Sequence, residues 1–194
     1  MKKYLIAIFI PIILLTTSVS ANDFKNAVDA YGRKDYKVAF STFKYLAEQG
    51  NMHSQYILGS MYLDGQGVAQ NYKEAVKWYR LSAEQGEAEA QHSLGLSYSL
   101  GRGVPLDYKE AVRWYRMSAT KGSARAQSNL GAMYVVGKGV ALDYVEAHKW
   151  FNIAGANGLD EGRKFRDKIE KRMTHEQIDK AQRLAKEWMI EHEK

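Results

Sequence analysis

Apolar residues recur along this chain at two intervals at once. At short range they return every three or four residues, as on one face of a helix: Ala88, Leu94 and Tyr98 with Gln91 and Gly95 between them, then Tyr108, Ala111, Val112, Tyr115 and Ala119. At long range the whole pattern returns every 36 residues. Gly50, Gly86, Gly122 and Gly158 keep that step, and so do Trp78, Trp114 and Trp150. The pairs Leu58-Gly59, Leu94-Gly95 and Leu130-Gly131 follow it, with Tyr62, Tyr98 and Tyr134. Three full units result, 51–86, 87–122 and 123–158, each predicting a helix A, a Gly-x-Gly-Val turn and a helix B. A helix pair of this size cannot bury its apolar stripe alone, whereas stacked neighbours can. The fold class is therefore all-α, an α-solenoid of helix-turn-helix repeats whose concave surface is built mainly from A helices.

Local signals agree with that reading. Gly95 stands inside the stripe of helix A, where it costs about 1 kcal/mol against Ala in a bare helix. Its return in each unit predicts that another backbone approaches too closely for a Cβ. Gly101 and Gly103 predict a turn that needs positive φ. Asp107 with Glu110 has the form of a capping box at the start of helix B, and Asn71 with Glu74 and Asp143 with Glu146 repeat it.

The ends depart from the repeat. Residues 22–50 keep the B-helix columns (Tyr36, Ala39, Phe43, Ala47, Gly50), but Tyr31 lies only five positions before Tyr36 and Thr42 stands where Trp is expected. This predicts a truncated N-terminal capping repeat. Residues 159–194 predict C-terminal capping helices: a charged one, then an amphipathic one opened by Thr174 with Ile178, Ala181, Leu184, Ala185 and Trp188 on its apolar face. Residues 1–21 have the form of a signal peptide, with Lys2 and Lys3, an apolar run from Tyr4 to Leu15, and small residues at Val19-Ser20-Ala21. Cleavage before Asn22 is expected. The alternative, retention as an anchor, asks a run of twelve residues to do the work of about 20.

The unit Leu-Gly-x-x-Tyr-x-x-Gly-x-Gly-Val, then Asp/Asn-Tyr-x-Glu-Ala-x-x-Trp-Tyr/Phe, resembles the Sel1-like repeat, a relative of the tetratricopeptide repeat. The resemblance covers 51–158 in full and 22–50 in part. It implies an adaptor that binds other proteins, and exported bacterial members include envelope regulators, assembly scaffolds and factors that contact host proteins. Cysteine-rich secreted members are linked to penicillin binding or β-lactamase activity. This sequence has none of their cysteine pairs.

Composition narrows the chemistry. With 45% hydrophobic and 12% aromatic residues the chain is no disordered tail, and without Cys it has no disulfide framework, thiol catalysis or cysteine metal site. The net charge of +6 becomes +4 without Lys2 and Lys3 of the leader, and acidic residues are interspersed with the bases, which argues against a nucleic-acid stripe; 163–172 mixes Asp167 and Glu170 with its bases. The Gly-x-Gly turns follow helices and lack the third glycine of a dinucleotide fingerprint and the Gly-Lys-Ser/Thr of a phosphate loop. Ser41…Lys44 and Ser118…Lys121 satisfy Ser-x-x-Lys, without the companion motifs of a penicillin-acting serine enzyme. His53, His92, His148, His175 and His192 show no metal-binding spacing. His148 occupies the column of Val76 and Val112 on the buried face, which predicts a changed neighbour at the C-terminal cap.

The informative positions are those that vary while the scaffold repeats. On helix A, opposite the packed stripe, stand Tyr56, Ser60 and Leu63, then His92, Leu96 and Ser99, then Ser128, Ala132 and Val135. They predict a mixed, weakly apolar groove for a partner protein or peptide. The expected protein is exported, most simply to the periplasm, and monomeric. It binds a protein, not nucleic acid, has no stable membrane insertion once the leader is removed, and uses no cofactor or metal. The alternatives are a secreted factor contacting host proteins, an enzyme acting on β-lactams or peptidoglycan, and a basic binder of polyanions.

Overall fold

The computed structural model describes residues 21–192, so the expected leader lies, apart from Ala21, outside the described residues. Ten α-helices follow in order: α1 (Ala21–Gly32), α2 (Tyr36–Glu48), α3 (Met52–Asp64), α4 (Tyr72–Glu84), α5 (Ala88–Leu100), α6 (Tyr108–Thr120), α7 (Ala124–Val136), α8 (Tyr144–Ala156), α9 (Asp160–Glu170) and α10 (His175–His192). Each helix from α1 to α9 packs on its neighbours in sequence, while α10 returns to pack on α8. The odd helices α3, α5 and α7 are the A helices of the three units, and α9 continues their row.

Within a hairpin, the helices meet over the A-helix glycine. A Cβ on Gly95 would lie 2.7 Å from the ring of Tyr115 and 3.2 Å from the Ala111 carbonyl; Gly59 meets Tyr79 and Gly131 meets Phe151 in the same way. The intruder is thus first an aromatic ring and only second a backbone, which corrects the sequence expectation. Between hairpins, the second turn glycine makes the contact. Gly103 has φ +76°, and a Cβ there would stand 2.1 Å from the Tyr72 carbonyl oxygen at the start of α4.

Asn71, Asp107 and Asp143 cap α4, α6 and α8 by accepting from two backbone amides each. The reciprocal half of the capping box is not made. The cap residue's own amide already donates to the carbonyl of Tyr62, Tyr98 or Tyr134. Glu74, Glu110 and Glu146 pair instead with Lys77, Arg113 and Lys149 one turn on. At α10, by contrast, Thr174 and Gln177 exchange both bonds.

The tryptophans join successive B helices. Trp114 of α6 packs with Val76 and Ala83 of α4, and Trp150 of α8 with Val112 and Ala119 of α6. Helix α2 has no earlier B helix to reach, which accounts for Thr42 in this column. At the other end Trp188 of α10 meets Trp150 edge-on, with ring centres 5.3 Å apart.

A polar ladder runs beside these contacts. Gln55, Gln91 and Gln127 donate to the carbonyls of Ala47, Ala83 and Ala119 of the preceding B helix. Gln85 and Asn157 donate back to Gln55 and Gln127. In the middle unit that place belongs to Lys121, which bonds the Gly86 carbonyl instead, and the buried Gln91 Oε1 has no protein partner.

Two stability measurements follow. Gly103→Ala combines a left-handed backbone with a backbone clash and is expected to cost more than about 2 kcal/mol in urea unfolding. Lys121→Gln restores the ladder and is expected to raise stability by about 1 kcal/mol in the same assay.

Candidate functional site

The A-helix row α1, α3, α5, α7, α9 carries three indentations, each between neighbouring A helices and the B-helix ring beneath them. The first, about 250 Å³, is lined by Val28, Tyr31, Phe43, Tyr56, Ile57 and Ser60. A small one of about 60 Å³ includes Leu63, Tyr79, Leu96 and Leu100. The third, about 240 Å³, includes Ala132, Val135, Phe151 and Phe165.

Six of the nine residues expected in the groove therefore line hollows: Tyr56 and Ser60 the first, Leu63 and Leu96 the second, Ala132 and Val135 the third. The other three are held elsewhere. His92 is 9% exposed, lies against the ring of Tyr115, and stands 3.0 Å from Asn129 Nδ2. Ser99 shares a hydrogen bond with the Tyr115 hydroxyl at 3.1 Å, and Ser128 is buried. His92 and Ser99 of α5 are thus engaged with α6 and α7, and Ser128 of α7 is closed off from solvent. The helical wheel does not show this, because it gives a residue's direction without the neighbouring helix that covers it.

Burial controls the titration of this row. It pushes the Tyr79 hydroxyl up to about 12 and raises those of Tyr115 and Tyr56, with Glu89 adding to the effect on Tyr56. These hydroxyls stay protonated, and that of Tyr79 donates to Ser60 Oγ. Burial lowers the pKa of His92, and an unprotonated Nε2 is what the Asn129 amide needs as acceptor. What the row offers at neutral pH is apolar surface and neutral hydroxyls, with cations only at Arg102 of the second hollow and Lys168 and Arg172 of the third.

His148 behaves as its column predicts, with a changed neighbour. It is fully buried, and its Nε2 lies 2.8 Å from Glu170 Oε1 of α9. Glu170 stands 22 positions on, as Tyr98 does from Val76 and Tyr134 from Val112. Where Val76 and Val112 share apolar clusters with Tyr98 and Tyr134, the corresponding pair is His148 and Glu170.

The Ser-x-x-Lys serines are structural: Ser41 donates to the Val38 carbonyl of its own helix, and the buried Ser118 to the Ala88 carbonyl. Among the described residues no group of His, Asp and Glu is placed to hold a metal ion, and no helix is long and apolar enough to cross a membrane. Sequence reasoning missed Tyr31 and Ile57 at the first hollow, and Phe165, Lys168 and Arg172 at the third. The signal was available: continued by 36 residues, the column of Ser93 and Asn129 reaches Phe165.

The Sel1 repeat model matches at residues 53–87, 88–123 and 124–159, more than half of the chain. The chain belongs to the Sel1 repeat family. Solved structures agree. A Sel1 repeat protein from Oxalobacter formigenes is 34% identical with a TM-score of 0.71, over 75% of this chain and 60% of that one. The c5321 protein of uropathogenic Escherichia coli, described as a protective antigen with an SLR fold, is 30% identical with a TM-score of 0.63, over 88% of this chain and 45% of its own. Helicobacter pylori cysteine rich protein B shares the fold at 21% identity and a TM-score of 0.55, over 68% of this chain and 94% of its own. This Sel1 repeat chain thus spans 60% and 45% of the length of the first two. A comparison with curated proteins finds no match.

His92 gives a pH test. A histidine whose folded pKa lies below its free value contributes stability that is whole above about 6.5 and is lost as pH falls through the folded value. Melting temperature is therefore expected to fall between pH 7.5 and pH 5 in the native chain, and by less in His92→Gln.

Proposed function

We propose that this Sel1 repeat protein is a non-catalytic scaffold of the bacterial cell envelope that binds a partner protein or peptide along its A-helix face, the concave side of the solenoid. The observation that carries the reading is the row of three hollows, lined by the positions that vary between units while the glycine, tryptophan and tyrosine columns repeat. A surface varied on a constant frame is how one architecture comes to recognise different partners. Family membership supports it, because Sel1 repeats mediate protein–protein interaction. The signal-like leader supports placement outside the cytoplasm, with the mature chain working as a monomer.

A second reading, an exported factor that meets host proteins, draws on the description of the E. coli relative as a protective antigen. The surface would be the same and only the source of the partner would differ.

The test compares chain 22–194 with its Leu96→Glu form as bait in envelope extract, and separately in host-cell lysate. Leu96 is 39% exposed, so the substitution spares the core. A specific partner is expected to be retained by the first and lost about tenfold or more by the second. Equal retention by both would exclude this face as the binding surface.

A further inference from the structure

The last seam of the A-helix row differs in chemistry from the two before it. In the first two units the B-helix ring carries a hydroxyl that helix A holds: Tyr79 donates to Ser60 at 3.2 Å, and Tyr115 bonds Ser99 at 3.1 Å. In the third unit the ring is Phe151, and the facing residues are Ala132 and Val135. Across the seam, the column of Ser93 and Asn129 has become Phe165, whose ring centre lies 5.4 Å from that of Phe151. Each change removes hydrogen-bonding capacity at the same place. The resulting hollow of about 240 Å³ has an apolar wall open to solvent, with Phe165 44% and Val136 57% exposed.

Its rim is basic. Lys168, in the last turn of α9, and Arg172, just past the helix end, both line the hollow. Among the described residues Lys168 makes no ion pair, and Arg172 reaches only the Tyr144 hydroxyl, at 3.4 Å. Of the other α9 bases, Arg163 pairs with Asp160 and Arg166 with Asp167 and Glu170, while Lys164 does not line the hollow. An apolar hollow beside two available cations selects a ligand that is apolar in one place and anionic next to it.

We propose that this hollow receives one large apolar side chain of an acidic peptide segment, whose flanking carboxylates pair with Lys168 and Arg172. The proposal rests on the scaffold reading above and names the chemistry of the partner. Charge argues against the chain filling the site itself. Its own apolar leader run follows Lys2 and Lys3, and a second copy of the mature chain would bring another net charge of +4.

The test uses the full mature chain and fluorescein-labelled peptides of Asp and Glu with one central Leu, with Ala in its place, or with Lys replacing the acids. Anisotropy is expected to show the acidic Leu peptide binding about tenfold or more tighter than either counterpart, and weakening with salt. K168E/R172E and A132R are each expected to weaken it about tenfold, whereas K180E/K186E, an equal charge change on α10, stays within about twofold. Thermal melts check folding, and K168E/R172E, confined to exposed side chains, decides if A132R unfolds. Equal binding of the Leu and Ala peptides would overturn the proposal, as would native affinity in K168E/R172E, or oleate binding the hollow with no peptide bound. Any of these, with partner capture still dependent on Leu96, removes the acidic-anchor inference alone; capture indifferent to Leu96 removes the scaffold reading.

Discussion

A ring pressed on a glycine governs how each hairpin is built. The side chain that Gly59, Gly95 and Gly131 lack is replaced by Tyr79, Tyr115 and Phe151, so the two helices approach to a distance that no other residue at that position would allow. The burial gained by each large ring outweighs the propensity lost by one glycine, since a buried aromatic contributes several times the roughly 1 kcal/mol at stake. Once the hairpin has that shape, everything else follows at fixed offsets. The turn glycine seats on the preceding B helix, the tryptophan reaches back across it, and the glutamine ladder ties each A helix to the helix before.

Much of this could be read from the chain. The 36-residue step gave the units, the caps and the departure at His148, because each is a matter of which residue recurs where. What the chain did not disclose were partners in space. The glutamates at 74, 110 and 146 look like the second half of a capping box, yet the amide they would satisfy is already bonded to a tyrosine carbonyl. His92 lies on the right side of its helix, but Tyr115 and Asn129 of the adjoining helices cover it, and Ser128 is buried as well. Phe165 is hidden for a different reason: the glycine and tryptophan columns end by Gly158, although α9 continues the A-helix row.

The polar and apolar seams of the row form a gradient. Serine–tyrosine hydrogen bonds lie in the first two units and are missing from the last, while the hollows at the two ends are mostly carbon. Binding energy concentrates where desolvated apolar pockets lie, and the rest of a surface contributes fit more than affinity. The A-helix face is therefore best described as two anchoring ends with a hydrogen-bonding stretch between them.

The Trp150–Trp188 contact finishes the stack on the B-helix side without using any feature of the units further back. Each hairpin touches only its neighbours, so a copy of one could be spliced in ahead of residue 123 while both termini kept their present surroundings. The longer relatives, of which this chain spans 60% and 45%, are consistent with such growth. Reach along a ligand can thus be altered by duplicating a segment of gene, with no need to redesign how the chain begins or stops.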